Sequence, residues 1–114
     1  MRQRLFLAAL LPALAVCVGL AVPAAAADAP IAVTLQNHKF NPSVIRVKAN
    51  RPAIIALTNK DATAEEFDST ALKVEKVVAG NSSGNVRIRA LAPGKYPFTG
   101  EYHSATAQGV VIAE

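Results

Sequence analysis

A chain of 114 residues with a formal net charge of +4, one cysteine, one methionine and no tryptophan holds one domain at most and excludes a disulfide framework. With aromatic residues at only 5%, and few of them near basic side chains, it lacks the composition of a nucleic-acid surface.

The first 27 residues read as a leader. Arg2 and Arg4 precede an apolar run from Leu5 to Leu20, broken only by Pro12 and Gly19, and Ala25-Ala26-Ala27 offers small residues for cleavage. A basic start, a short apolar run and an A-x-A end are the pattern of a secretory signal peptide cut after Ala27. A membrane span would need about 20 apolar residues. Residues 28–114 are then the exported domain, and the periplasm is the expected compartment.

Removal of the leader changes the chemistry. Cys17 and Met1 are the chain's only sulfur-bearing residues, and both lie in it. The exported domain therefore has no disulfide in an oxidising compartment and no thiolate ligand. Without Arg2 and Arg4, ten basic residues face eight acidic ones, which leaves about +2 and no strong basic patch. So small a domain buries only about 60–65% of its extended surface, which calls for a closed, economical architecture.

Taken in order, Ile31 to Leu35 alternates as a strand with Ile31, Val33 and Leu35 on one face. Residues 37–42 (NHKFNP) form a turn-rich connection carrying His38 and Phe40. Ser43 to Lys48 places Ile45 and Val47 inward, and Asn50-Arg51-Pro52 turns the chain. Ile54 to Leu57 is apolar on both faces, as in a central strand covered on both sides. The polar stretch 59–64 delivers Glu65-Glu66-Phe67-Asp68 as a short extended piece, and Val74 to Val78 is a further strand. Residues 80–84 are turn-like by composition. Val86, Ile88 and Ala90 alternate with Arg87 and Arg89, and Glu75 with this arginine pair is expected to face solvent. Pro93-Gly94 turns the chain into a strand from Tyr96, a spacing that suits a tyrosine corner. The last strand is Val110-Val111-Ile112.

Seven or eight short strands with turns every 8–12 residues predict an all-β, antiparallel Greek-key β-sandwich. If successive strands run up and down, the loops 37–42, 59–65 and 100–108 share one end. His38, the Glu65/Glu66 pair, Glu101 and His103 then converge on one pole. Histidine and carboxylate in loops at one end of a small sandwich can hold a metal ion. There is no Ser-His-Asp or Cys-His arrangement, no phosphate loop and no nucleotide fingerprint.

The segments FNPSVIRVKANRPAIIALTN (40–59), AEEFDSTALKVEKVV (64–78), LAPGKYPFTGEYH (91–103) and AQGVVIAE (107–114) resemble cupredoxins, and specifically the EfeO-type cupredoxin-like domain of bacterial iron-uptake systems. The resemblance implies an eight-stranded Greek-key sandwich with a metal site at this pole. It also implies two partners: an inner-membrane ferrous iron permease and a periplasmic iron/copper-binding protein. The family's blue-copper ligands (histidine, cysteine, histidine, methionine) fall on Glu66, Gly100, His103 and Ala107. One histidine and no sulfur cannot form a His₂Cys copper centre.

The expected metal set is Glu66, Glu101 and His103, with Glu65, Asp68 and His38 in reserve. Carboxylates with one or two imidazoles suit an iron ion, Mn(II) or a non-blue copper ion. Three readings stay open: an accessory metal-binding protein assisting ferrous iron uptake, a ferroxidase-like oxidase, and a metal-free interaction module.

Overall fold

The computed structural model describes residues 9, 11–19 and 28–114. Of the expected leader, residues 9 and 11–19 carry no helix or strand, and the remainder, with the cleavage point at Ala27, lies outside the described residues. Among the described residues no helix is long and apolar enough to cross a membrane.

Among the described residues nine strands follow one another in chain order: β1 (Ile31–Gln36), β2 (Lys39–Asn41), β3 (Val44–Val47), β4 (Ala53–Asn59), β5 (Glu65–Ser69), β6 (Val74–Val78), β7 (Ser82–Ile88), β8 (Gly94–Gly100) and β9 (Gln108–Ala113). A 3-10 turn, Glu101–His103, sits between β8 and β9. The strands form two sheets, ordered β2-β1-β4-β7 and β3-β9-β8-β5-β6, and the fold is an all-β cupredoxin sandwich.

The structure departs from the expected pattern in four places. The sheets are mixed rather than purely antiparallel, because β1 pairs parallel with β4 and β3 pairs parallel with β9. The 37–42 connection is a tight hairpin: Asn37 and His38 turn the chain, and Lys39–Asn41 returns as a short strand against β1. Within the turn-like stretch 80–84, residues 82–84 belong to β7 and pair with the far end of β4. Finally, β4 is fully covered on one face only. Ile55 and Leu57 are buried, whereas Ile54 and Ala56 are half-buried.

Period-2 alternation builds the core. Val33 and Leu35 of β1, Ile45 and Val47 of β3, Ile55 and Leu57 of β4, Val86 and Ile88 of β7, and Val111 and Ala113 of β9 all point between the sheets. Burial of such side chains is the main force that closes the sandwich, at about 25 cal/mol per Å² of apolar surface. Three phenylalanines link the two sheets: Phe67 and Phe98 stack with centroids 4.5 Å apart, and Phe40 meets Phe98 edge-on at 5.1 Å. A Cβ on Gly109 would stand 2.2 Å from Phe98 Cζ, so the Phe98 ring lies over a backbone that only glycine leaves open.

The tyrosine corner is present. Tyr96 Oη donates to the Ala92 carbonyl at 2.7 Å and pins the turn that leads into β8. Ser69 works in a similar way at the end of β5, donating to the Pro97 carbonyl at 2.6 Å and accepting from Leu72 N. These ties hold β8 against β5, and the paired strands in turn set the position of the loop that leaves β8 at Gly100.

Candidate metal centre

The hairpin turn between β1 and β2 is the first part of the pole. Gln36 and Lys39 pair across it, so the loop is two residues long. Both residues take left-handed backbone, with φ of 52° at Asn37 and 56° at His38. Two-residue hairpins of the I′ kind require this, and glycine is the usual choice at their second position. Here the second position is a histidine.

Asp61 holds this turn. Its carboxylate accepts the N–H of Asn37 at 2.8 Å and that of His38 at 2.9 Å. These bonds, the His38 N–H foremost, keep the Asp61 carboxyl below its ordinary range against the opposing effect of burial. The loop carrying Asp61 is itself braced by buried Asn59, which accepts from Asp61 N at 3.0 Å and donates to the Thr63 carbonyl at 2.9 Å.

Glu65 opens β5, where the pattern of burial puts residues 65, 67 and 69 on the inward face. The pleat that buries Phe67 completely therefore buries Glu65 as well, with 1% of its surface exposed. A buried carboxylate needs donors, and this one has them. Its Oε1 accepts from Tyr102 N at 2.9 Å and from Glu66 N at 3.1 Å, and Oε2 lies 2.5 Å from His103 Nδ1.

His103 ends the 3-10 turn, and the loop closes behind it. Its carbonyl accepts from Ala107 N at 2.9 Å, and Gly100 N donates to the Ala107 carbonyl at 2.8 Å. This closure turns the His103 ring over Glu65 and against the ring of His38. The two imidazoles stack with centroids 3.6 Å apart and 10° between their planes.

The pole thus divides the six expected residues into two groups. One donor atom from each of His38, Glu65 and His103 lies within 4.8 Å of the others, and the same holds for Glu66, Asp68 and Glu101. His103 stands with Glu65 and His38, while Glu66 and Glu101 stand apart from it with Asp68. Strand parity is the cause: Glu66 and Asp68 project from the opposite face of β5 to Glu65 and Phe67. Counting by two from Phe67 brings Glu65 inward. Nothing in the sequence marks His38 beyond its place in a loop at the same end.

The outer group is a crowd of like charges. Glu66 has its carboxyl pushed above the ordinary range, first by loss of water and then by Glu101, Glu75 and Asp68. The inner group is different in kind. Its donors are two imidazoles and one buried carboxylate, and it carries an unsatisfied atom. His38 Nδ1 is buried without a hydrogen-bond partner, since its 3.4 Å approach to Asp61 Oδ2 lacks hydrogen-bond geometry. Buried polar atoms without partners are rare and call for an explanation.

A metal ion fits this donor set. Two imidazoles with one carboxylate are the kinds of protein ligand found at non-haem Fe(II) sites, and the absence of thiolate removes blue-copper chemistry. With Nδ1 of His103 engaged by Glu65, its Nε2 is the free donor. Rings stacked this closely do not aim their in-plane lone pairs at one point. Joint ligation requires one ring to turn.

Comparison with known proteins agrees with the fold. The Cupredoxin-like domain family matches residues 7–113, and the chain belongs to that family. An uncharacterized protein of Rickettsia prowazekii (strain Madrid E) is 38% identical over 82 residues, which is 72% of this chain and 66% of that protein. The chain therefore spans just under two thirds of that relative's length.

Among solved structures, the metal-binding domain of the Streptococcus pneumoniae D39 Cu(I)-exporting P-type ATPase CopA, with Cu(I), has a TM-score of 0.64 at 13% identity, covering 75% of this chain and 84% of that one. Auracyanin A, a "blue" copper protein of Chloroflexus aurantiacus, has a TM-score of 0.60 at 16% identity over 75% of this chain and 98% of its own. An oxidised amicyanin variant has a TM-score of 0.59 at 17% identity, covering 79% and 87%. At these identities the likeness is one of fold.

Proposed function

We propose that this protein is an exported accessory iron-handling protein, an EfeO-type member of the cupredoxin-like family. Its cargo is an iron ion held by His38, Glu65 and His103. The observation that carries the reading is the convergence of these three side chains from three separate segments, with His38 Nδ1 left unpartnered. Residues 1–27 act as its leader to the periplasm, and it works there beside an inner-membrane ferrous iron permease and a periplasmic iron/copper-binding protein.

The chain's own residues divide the work. Glu65 holds the His103 ring through Nδ1 until the ion enters, and that bond opens when the carboxylate turns to the ion. Asp61 holds the turn that presents His38. Glu66, Asp68 and Glu101 add negative charge beside the centre, which favours the trivalent over the divalent ion because attraction scales with charge. Preference for Fe(III) lowers the reduction potential of the bound ion and so eases loss of an electron from ferrous iron. The role is accessory rather than that of a self-sufficient oxidase, because one centre with two imidazoles offers a single-electron station. A non-blue copper ion is the second reading, favoured by the copper named for similarly folded proteins.

The test is titration of the purified metal-free protein with Fe(II) under nitrogen, Fe(III) citrate, Cu(II) and Cu(I). Saturable one-to-one iron binding is expected, lost in Glu65→Gln and His103→Ala and kept in Glu66→Gln. Loss in Glu66→Gln with retention in Glu65→Gln would move the centre to the outer carboxylates. Binding of copper alone would replace iron as cargo, and binding of no ion would end the metal reading.

A further inference from the structure

In the blue-copper pattern that this chain resembles, the thiolate falls at residue 100, which here is glycine. The space beside Gly100 is nevertheless filled. A Cβ built on Gly100 would stand 2.7 Å from Glu65 Cδ, 3.0 Å from Glu65 Cγ and 2.7 Å from Ala107 Cβ. Approaches under 3 Å force something to move. Ala107 is fully buried, and its Cβ cannot move independently of its backbone. Glu65 is the end of a flexible side chain, yet it is buried and held by Tyr102 N, Glu66 N and His103 Nδ1. Neither neighbour yields at small cost.

We propose that Gly100 determines the donor chemistry of this pole: by having no side chain, it leaves the seat that the Glu65 carboxylate occupies. The sandwich has one seat and two ways to fill it. A carboxylate can enter from β5 when residue 100 is glycine, or a side chain can enter from β8 when residue 65 is short. The first choice gives an oxygen and imidazole site for harder ions, and the second gives a sulfur site for softer ones. The consequence for ion choice rests on the iron-handling reading; the seat itself does not.

The test uses the purified protein and four variants: Gly100→Ala, Gly100→Cys, Glu65→Ala/Gly100→Ala and Glu65→Ala/Gly100→Cys. In metal-free wild-type protein, ¹⁵N shifts of the His103 ring report the bond from Nδ1 to Glu65. Gly100→Ala should abolish that signature and lower the melting temperature, and Glu65→Ala in the same chain should recover part of that loss, the part due to Ala107 remaining. With Co(II), the near-ultraviolet thiolate charge-transfer absorption should be absent in Gly100→Cys and present in Glu65→Ala/Gly100→Cys.

An unchanged His103 signature in Gly100→Ala would overturn the proposal. So would a folded Glu65→Ala/Gly100→Cys protein without the cobalt band. If Gly100→Ala does not fold, folding of the Glu65→Ala/Gly100→Ala protein supports the seat, and failure to fold of a Glu65→Ala/Gly100→Ala/Ala107→Gly protein, in which both close approaches are removed, overturns it. Should wild-type protein bind no iron while Gly100→Ala loses the His103 signature, the seat stands and only the iron reading falls.

Discussion

The imidazoles of His38 and His103 lie face to face, 3.6 Å apart and 10° from parallel, although 65 residues separate them in the chain. Rings stacked in this way do not aim both lone pairs at one point, so a ring must swing before both can ligate one ion. In metal-free protein the ring protons of His103 should be shifted upfield by the His38 ring. Zn(II), a diamagnetic probe, should release that shift, and His38→Ala should mimic the release. Iron affinity in His38→Ala should fall by at least about tenfold, since even outer partners of metal ligands are worth that much. Unchanged ring shifts on zinc binding would place the ion elsewhere.

The turn that carries His38 is held in a backbone conformation that favours glycine. His38→Gly should therefore be more stable than His38→Ala by about 1 kcal/mol, measured by urea unfolding. Asp61→Ala should cost about 1–3 kcal/mol, because the N–H groups of residues 37 and 38 lose a charged acceptor. The sign of its pH dependence is set by its lowered folded value. The contribution of Asp61 is fully present above its ordinary range and disappears as the pH falls through that range towards the lowered value. The wild type and Asp61→Ala should thus converge in acid.

Glu66 runs the other way. Its folded value is raised, by lost hydration first and then by Glu101, Glu75 and Asp68, so folding favours its protonated form. That contribution is present at low pH and is lost as the pH rises from the ordinary carboxylate range through the raised value. At neutral pH, metal-free Glu66→Gln should melt above the wild type, and the gap should close on acidification. A gap that persists unchanged in acid would show that the outer carboxylates do not repel one another.

Tyr96→Phe removes one hydrogen bond, from Tyr96 Oη to the Ala92 carbonyl, at the end of the sandwich away from His103. The cost should be about 1 kcal/mol, or a fall of about 4–8 °C in Tm for a domain of this size. Metal affinity should stay as in the wild type. A change in affinity would mean that the two ends of the sandwich are coupled.

Much of this architecture is legible in the sequence, because alternation is a local signal. Ile45 and Val47, Val86 and Ile88, and the turn before Tyr96 each announce themselves within a few residues. Parity also carries far enough to bring the loops of His38, Glu65 and His103 to one end. It is less decisive within the Glu-Glu pair, where one residue of register separates a buried ligand candidate from a solvated carboxylate. Choosing Glu66 relies on the family's ligand position; choosing Glu65 requires knowing that Phe67 is the deepest residue of β5. The parallel pairings of β1 with β4 and β3 with β9 leave no local trace, since they are made by chain crossings between sheets. Gly100 reads as a vacancy until its neighbours are seen.

The three inner donors come from the first hairpin, the fifth strand and the turn after the eighth, so no fragment shorter than 38–103 contains them all. An unfolded chain offers nothing comparable to an arriving ion, and any affinity the centre has is spent on the native state. At an ion concentration one hundred times the dissociation constant, that linkage adds about 2.7 kcal/mol to the stability of the fold. Ion and scaffold are then one thermodynamic system: an ion that leaves the centre takes that increment of stability with it.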